Sequence, residues 1–139
     1  MQTKLNAYLN FRNNTRDAMA FYHSVFGGKL TVSTFKDYNA SESPDEDNLI
    51  MHSELVADNG INFMASDTPK RMEFTPGTNF GLALFGDDKA ELTALFEKLA
   101  KDGTVTMPLT EAMWGDTFGM ATDKFGVSWM VNISAPKAG

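Results

Sequence analysis

Few side chains in this 139-residue chain can do chemistry. It has two histidines and no cysteine, which excludes thiol nucleophiles, thiolate metal sites and disulfides. His52 and Glu54 stand two apart in the segment 49–57, whose alternation predicts a strand, so both point to one face. An imidazole and a carboxylate placed in this way could hold a metal ion or relay a proton. His23 falls one position past the apolar stripe of a predicted helix and reads as a surface or helix-end residue. The acidic run Ser41 to Asp47 lacks the spacing and the glycine of a calcium loop and reads as a solvated loop. Gly-x-Ser-x-Gly, Gly-x-Gly-x-x-Gly and the phosphate-binding loop are all missing, so neither acyl transfer nor a nucleotide cofactor has a signature here.

Composition narrows the partners. Hydrophobic residues make up 42% and charged residues 22%, values ordinary for a globular protein, and the length suits one domain. A net charge of −6 repels phosphate backbones, which argues against nucleic acid. No apolar run reaches the roughly 18–20 residues that span a bilayer, and Met1-Gln2-Thr3-Lys4 shows no apolar leader. Together with the lack of cysteine, this gives the expectation of a cytoplasmic protein without membrane attachment.

The elements that must carry His52 and Glu54 follow a repeating programme. Lys4 to Phe11 alternates as a strand; Asn13-Asn14-Thr15 offers N-cap side chains for a helix over 15–26 with Met19, Tyr22 and Phe26 on one stripe. Gly27-Gly28 ends it, and strands are expected at 29–36, 49–57 and 61–66, the last two joined by Asp58-Asn59-Gly60. Residues 67–78 form a connector. The order then recurs: a strand over 79–85, a helix over 88–101 capped by Asp87-Asp88 with Leu92, Leu95, Phe96 and Leu99 inward, then extended segments at 104–107, 117–122 and 127–133. A shift of 75 residues lays Phe21 on Phe96 and Gly28 on Gly103. The expected fold class is α+β: two βαβββ modules (about 4–66 and 79–133, with a tail at 134–139), each a curved mixed sheet with a helix on its outer face, within one domain spanning 1–139.

Each helix covers the more hydrophobic face of its sheet, so the opposite parity should line a cleft. That parity comprises Asn6, Tyr8 and Asn10, then Asn62, Met64 and Ser66, and in the second module Gly81, Ala83 and Phe85, then Ser128, Met130 and Asn132. Trp129 falls on the helix-facing parity and belongs to the core. Trp114, in a polar glycine-containing segment, reads either as a lid over the cleft or as part of a subunit contact. A two-residue Asn59-Gly60 turn would continue the face of Asn62 and Met64 through Leu55, Ser53 and Met51 and turn His52 and Glu54 away. A three-residue loop would reverse that assignment.

The run Trp114-Gly-Asp-Thr-Phe118-Gly119-Met-Ala-Thr122-Asp123-Lys124-Phe125-Gly126-Val127-Ser-Trp129-Met130-Val-Asn132 is the most specific stretch. With Tyr8-Leu9-Asn10-Phe11, Ala20-Phe21-Tyr22 leading to Phe26-Gly27-Gly28, and Met64-Ala65-Ser66-Asp67, it resembles PhnB-like proteins over about residues 4–133. These belong to the vicinal-oxygen-chelate superfamily, with glyoxalase I, extradiol dioxygenases and bleomycin and fosfomycin resistance proteins. The resemblance implies paired βαβββ modules, homodimers, and in many members a divalent ion on the first and last strands of each module. At the matching positions stand Asn6 (or Ala7), Met64, Gly81 and Met130, none a good ligand for a hard divalent ion. Glu54-Leu55 mimics the strand-four ligand motif of glyoxalase I but sits one strand too early. Some PhnB-like proteins carry a ubiquinone-methyltransferase label, yet no strand, Gly-rich turn and helix for S-adenosylmethionine is present.

Two functions therefore stand as expectations. The first is a metal-free, cofactor-free cleft that binds a small organic ligand through Tyr8, Asn10, Asn62, Met64, Trp114, Ser128 and Met130. The second is an enzyme, of lyase, isomerase or dioxygenase type, using His52 and Glu54 or an atypical metal. Arg12 and Arg16 could touch an anionic ligand, though they read more simply as solvated helix-start residues. Open sheet edges and the resemblance both point to a homodimer: sedimentation at low micromolar concentration should give about twice the 15.3 kDa chain mass, and a monomer there would refute it.

Overall fold

The structure is a computed structural model and describes residues 3–58 and 60–135. It has two compact units, Met1–Pro76 and Gly77–Gly139. In the first, β1 (Ala7–Phe11), α1 (Thr15–Phe26), β2 (Lys29–Thr34), β3 (Ile50–Val56) and β4 (Asn62–Asp67) follow one another. In the second, the order is β5 (Leu82–Gly86), α2 (Lys89–Ala100), β6 (Thr104–Glu111), β7 (Thr117–Thr122) and β8 (Ser128–Ile133). The sheets are ordered β1-β4-β3-β2 and β5-β8-β7-β6. In each, the first and last strands of the unit pair in parallel and the other pairs are antiparallel. Both are thus mixed four-stranded sheets of the βαβββ type the sequence predicts. No helix among the described residues is long and apolar enough to cross a membrane.

The strand limits differ from expectation where no ladder partner exists. β1 begins at Ala7 and β5 at Leu82, leaving Asn6 and Gly81 outside the strands. β6 runs on to Glu111, four residues past the predicted end, because β7 pairs with it as far as Glu111↔Thr117.

Apolar parity selects the helix-covered face. In the first unit Leu9, Phe11, Phe63, Ala65 and Leu55 are buried against Ala18, Met19, Tyr22, Val25 and Phe26 of α1. Phe63 meets Tyr22 and Phe26 edge-on, with ring centroids 5.4 and 6.1 Å apart. In the second unit Leu84, Ala121, Trp129 and Val131 are buried under Leu92, Leu95, Phe96 and Leu99 of α2. Burial of each such Leu, Val or Met side chain contributes about 1.5–3 kcal/mol.

Two buried carboxylates satisfy the backbone that this packing strands. Asn14 occupies the N-cap position of α1 but its side chain makes no capping bond. The cap comes instead from Asp67 at the end of β4, which is buried and accepts the Thr15 N–H at 3.0 Å and the Ile50 N–H at 2.8 Å. One side chain thereby ties together a helix start, the start of β3 and the end of β4. Asp88 caps α2 as predicted, accepting the Glu91 N–H at 3.0 Å. In the second unit Asp123 accepts the Phe125 and Val127 N–H groups at 2.8 and 3.1 Å and the Trp129 indole N–H at 2.8 Å.

Gly28 and Gly103, which the 75-residue shift equates, share one structural reason. A Cβ at Gly28 would lie 2.2 Å from the Val56 carbonyl oxygen, and one at Gly103 would lie 2.3 Å from that of Thr122. In both units the chain leaving the helix crosses backbone to backbone over the neighbouring strand.

The acidic run is more structured than a solvated loop. Pro44–Glu46 forms a short 3-10 turn, Glu46 is buried and accepts the Glu42 N–H at 3.1 Å, and Asp45 and Glu42 pair with Lys70 and Arg71 at 2.8 and 3.4 Å. Lys70 holds the exposed Asp45 carboxyl at about 2, below the ordinary carboxylate range. Arg12 is likewise not a solvated residue: its guanidinium donates to the Pro69 and Met72 carbonyls and lies over the Phe74 ring.

Removing the Asp67 carboxylate should leave two backbone donors without their acceptor. Asp67→Ala should cost about 3 kcal/mol in urea unfolding, and Asp67→Asn, which keeps one acceptor, should cost less. Equal and negligible losses would contradict the clamp.

Candidate functional site

The face of each sheet turned away from its helix carries the polar and aromatic side chains. Which residues belong to it depends on the hairpin between β3 and β4. Ala57 N–H donates to the Ile61 carbonyl at 2.8 Å, and the Gly60 N–H donates to the Ala57 carbonyl at 3.3 Å, so the loop holds three residues, 58–60. Gly60 has φ +83, the left-handed conformation that closes a three-residue hairpin. Asn59, the other half of the predicted two-residue turn, lies outside the described residues.

The consequence is a correction. Glu54 pairs with Met64 and Val56 with Asn62, while Tyr8 pairs with Met64 and Asn10 with Ser66 from the other side. His52 and Glu54 therefore share the open face with Tyr8, Asn10, Asn62 and Met64, and Leu55 and Ser53 lie beneath, fully buried. The two-residue-turn assignment, which turned His52 and Glu54 away, is overturned by one residue of loop length. His52 and Tyr8 have ring centroids 6.2 Å apart. Asn62 Oδ1 is buried without a hydrogen-bond partner. His23, by contrast, is an exposed residue near the end of α1 whose Nε2 sits 2.9 Å from the Gly28 carbonyl oxygen, a local helix-end contact.

The β7–β8 hairpin repeats the geometry. Asp123 N–H donates to the Val127 carbonyl at 2.9 Å, and Gly126 has φ +88. Met130 consequently pairs with Met120 and Ala83, and Asn132 with Phe118 and Phe85. Ser128, Met130 and Asn132 thus occupy the open face, as parity predicts. Trp129 is buried on the other, as expected of a core residue.

Trp114 stands in the β6–β7 loop, exposed and T-shaped to Phe118 at 6.3 Å. Asp116, which follows it, accepts the Asn132 amide N–H at 3.0 Å and the Ala135 N–H at 2.9 Å. The Asn132 amide foremost, then the Ala135 N–H, hold the Asp116 carboxyl below its usual value against a smaller desolvation, and the Trp114 side chain adds to the effect. Sequence reading missed Asp116 and Phe118 as site residues. The Trp-x-Asp-x-Phe spacing was visible, but the bond to Asn132 needs the β7–β8 register.

The donor set answers whether a divalent ion fits. Among the described residues no three His, Asp or Glu side chains come together in a way that could hold a metal. The first unit's open face supplies one imidazole and one carboxylate, and the strand positions matching the superfamily's ligands hold Met64 and Met130, whose thioethers suit hard ions poorly. The residues present do not fit the divalent site. A wide-mouthed groove of about 500 Å³ lies elsewhere, between α2 and the start of β6, with Phe96, Lys98, Lys101 and Val105 among its lining.

With no native cysteine, the register is directly measurable. A cysteine at Glu54 should react with a thiol reagent in the folded protein, and one at Ser53, whose exposure is 1%, should not. The reverse order would restore the two-residue turn.

Comparison with known proteins agrees with this architecture. A family profile described as the Glyoxalase/Bleomycin resistance protein/Dioxygenase superfamily matches residues 4–131. The crystal structure of protein PA1353 from Pseudomonas aeruginosa is 37% identical, superposes with a TM-score of 0.81, and the match covers 97% of this chain and 100% of that one. A PhnB protein from Bacillus cereus, described as a putative 3-demethylubiquinone-9 3-methyltransferase, is 28% identical with a TM-score of 0.76, covering 95% and 100%. Protein YjdN of Escherichia coli K12 is 29% identical over 138 residues, covering 93% of this chain and 94% of that protein. The chain belongs to the Glyoxalase/Bleomycin resistance protein/Dioxygenase superfamily, within which it is similar to PhnB and YjdN.

Proposed function

We propose that the chain binds a small organic molecule on the open face of its sheets, through hydrogen bonds and aromatic contact and without a metal ion. The observation that carries this reading is the chemistry of those faces. Tyr8, Asn10, Asn62, Met64, Ser128 and Met130 share the open parity, and Trp114 stands exposed beside it. Amides, hydroxyls, thioethers and aromatic rings select a ligand by shape and hydrogen bonding, whereas a chelating ion needs a donor set these positions lack. The two modules act as one domain, assembled as a cytoplasmic homodimer; the unpaired edges β1 and β2 of one sheet and β5 and β6 of the other are where a partner could add. The methyltransferase description of the Bacillus relative is not carried over, since β1 leads to α1 through Ser-free, glycine-free Arg12-Asn13-Asn14 rather than a Gly-rich turn.

A second reading has one specific observation behind it. The β3–β4 register sets His52 and Glu54 on the open face, with Tyr8 beside His52. An imidazole there could move a proton to and from a bound ligand, with Glu54 as a second acid–base group on the same face. In that case the protein would exchange a ligand C–H for deuterium in D2O, and His52→Gln would abolish the exchange while leaving ligand affinity largely intact.

Dialysis against EDTA separates binding from metal-dependent catalysis. The melting temperature and the affinity for any fragment found by thermal-shift screening should be unchanged. A large drop in stability, restored by one divalent ion alone, would contradict the metal-free reading.

A further inference from the structure

The second unit concentrates exposed aromatic surface around one fixed amide. Asn132 lies on β8 between Phe85 of β5 and Phe118 of β7, each its direct cross-strand partner. Phe85 is 81% exposed and Trp114 63% exposed, an arrangement unlike the isolated apolar residues common on surfaces. Trp114 and Phe118 meet in a T-shaped pair.

The polarity of the Asn132 amide is forced. An ionised carboxylate only accepts hydrogen bonds, so Asp116 must receive the Asn132 N–H, and the amide oxygen is left over. Among the described residues nothing donates to that oxygen. Asp116 is itself held by the Ala135 N–H, so the amide cannot simply turn round. The result is an acceptor of fixed direction set between two rings.

Strand spacing sets the scale of the patch. Phe85 and Phe118 stand two strands apart, about 9.6 Å at the backbone, and a planar ring stacked between two others needs about 7 Å between their planes. A flat ring therefore has room between the two partner positions, where it can contact aromatic surface while it meets the amide.

We propose that Asn132, flanked by Phe85 and Phe118 and bounded by Trp114, is the recognition centre for a planar heteroaromatic molecule that donates an N–H to Asn132 Oδ1. Asp116 is the positioning residue that sets the direction of that acceptor. The inference rests on the reading of the open face as a small-molecule site, and names the ligand class it takes.

Indole and 1-methylindole, which differ in the donor, test it by NMR titration of the full chain. Indole should bind about fivefold more tightly, the worth of one hydrogen bond, with the largest shifts at Phe85, Phe118 and Asn132. Asn132→Leu and Asp116→Asn should erase the preference for indole over 1-methylindole. Phe118→Leu should weaken both probes by about tenfold yet keep their ratio, a split that a general loss of structure would not produce. Equal binding of the two probes to the native chain, or wild-type affinity in Phe118→Leu, would overturn the assignment. Shifts at Phe85 and Phe118 that follow protein concentration rather than probe concentration would also overturn it, assigning the patch to a second copy of the chain. If a wider fragment library binds but maps to Tyr8 and His52, this inference fails while the broader ligand-binding reading stands. If no fragment binds anywhere, both fail.

Discussion

Everything on the open faces depends on loop length in two hairpins. A strand presents alternate side chains to opposite faces, so one residue more or less in the connection exchanges the sets. The three-residue loops at 58–60 and 124–126, each closed by a glycine at φ +83 or +88, hold the β3–β4 and β7–β8 registers in the same sense. They put Met64 and Met130 on the open side and Phe63 and Trp129 under the helices. In the first unit they also decide whether His52 stands on the open face or on the side of the core.

The helices are fastened to this frame by unlike means. In the first unit Asp67 reaches from the end of β4 to cap α1 and hold the start of β3. In the second, Asp88 caps α2 locally, and Asp123 stiffens the hairpin loop and anchors Trp129. Equivalent architecture is thus maintained by different carboxylates. What the two modules do share is steric: Gly28 and Gly103 both stand where a methyl group would strike a strand carbonyl.

Much of this was written in the sequence. Apolar stripes placed α1 at its observed limits and α2 within a residue, and alternation found the cores of the strands, because burial imposes both periods. The resemblance to PhnB-like proteins also held. Long-range bonds were out of reach: the Asp67 cap spans 52 residues, and the neighbouring Asn14 was the obvious local candidate. The His52 and Glu54 assignment failed for a narrower reason. Asp58-Asn59-Gly60 suits either a two- or a three-residue loop, and the alternatives differ by one residue. The second hairpin held the missing signal, since Ala57-Asp-Asn-Gly-Ile61 and Asp123-Lys-Phe-Gly-Val127 both place glycine one position before a β-branched residue.

The proposed metal-free site on the open faces is tested by where small molecules touch the chain. The direct measurement is an amide and side-chain NMR map of the EDTA-treated protein against a library of small neutral and heteroaromatic fragments. Shifts should be confined to open-face positions such as Tyr8, Glu54, Met64, Phe118 and Asn132. Shifts confined to the helix surfaces and the groove between α2 and β6, or none until a divalent ion is added, would contradict it.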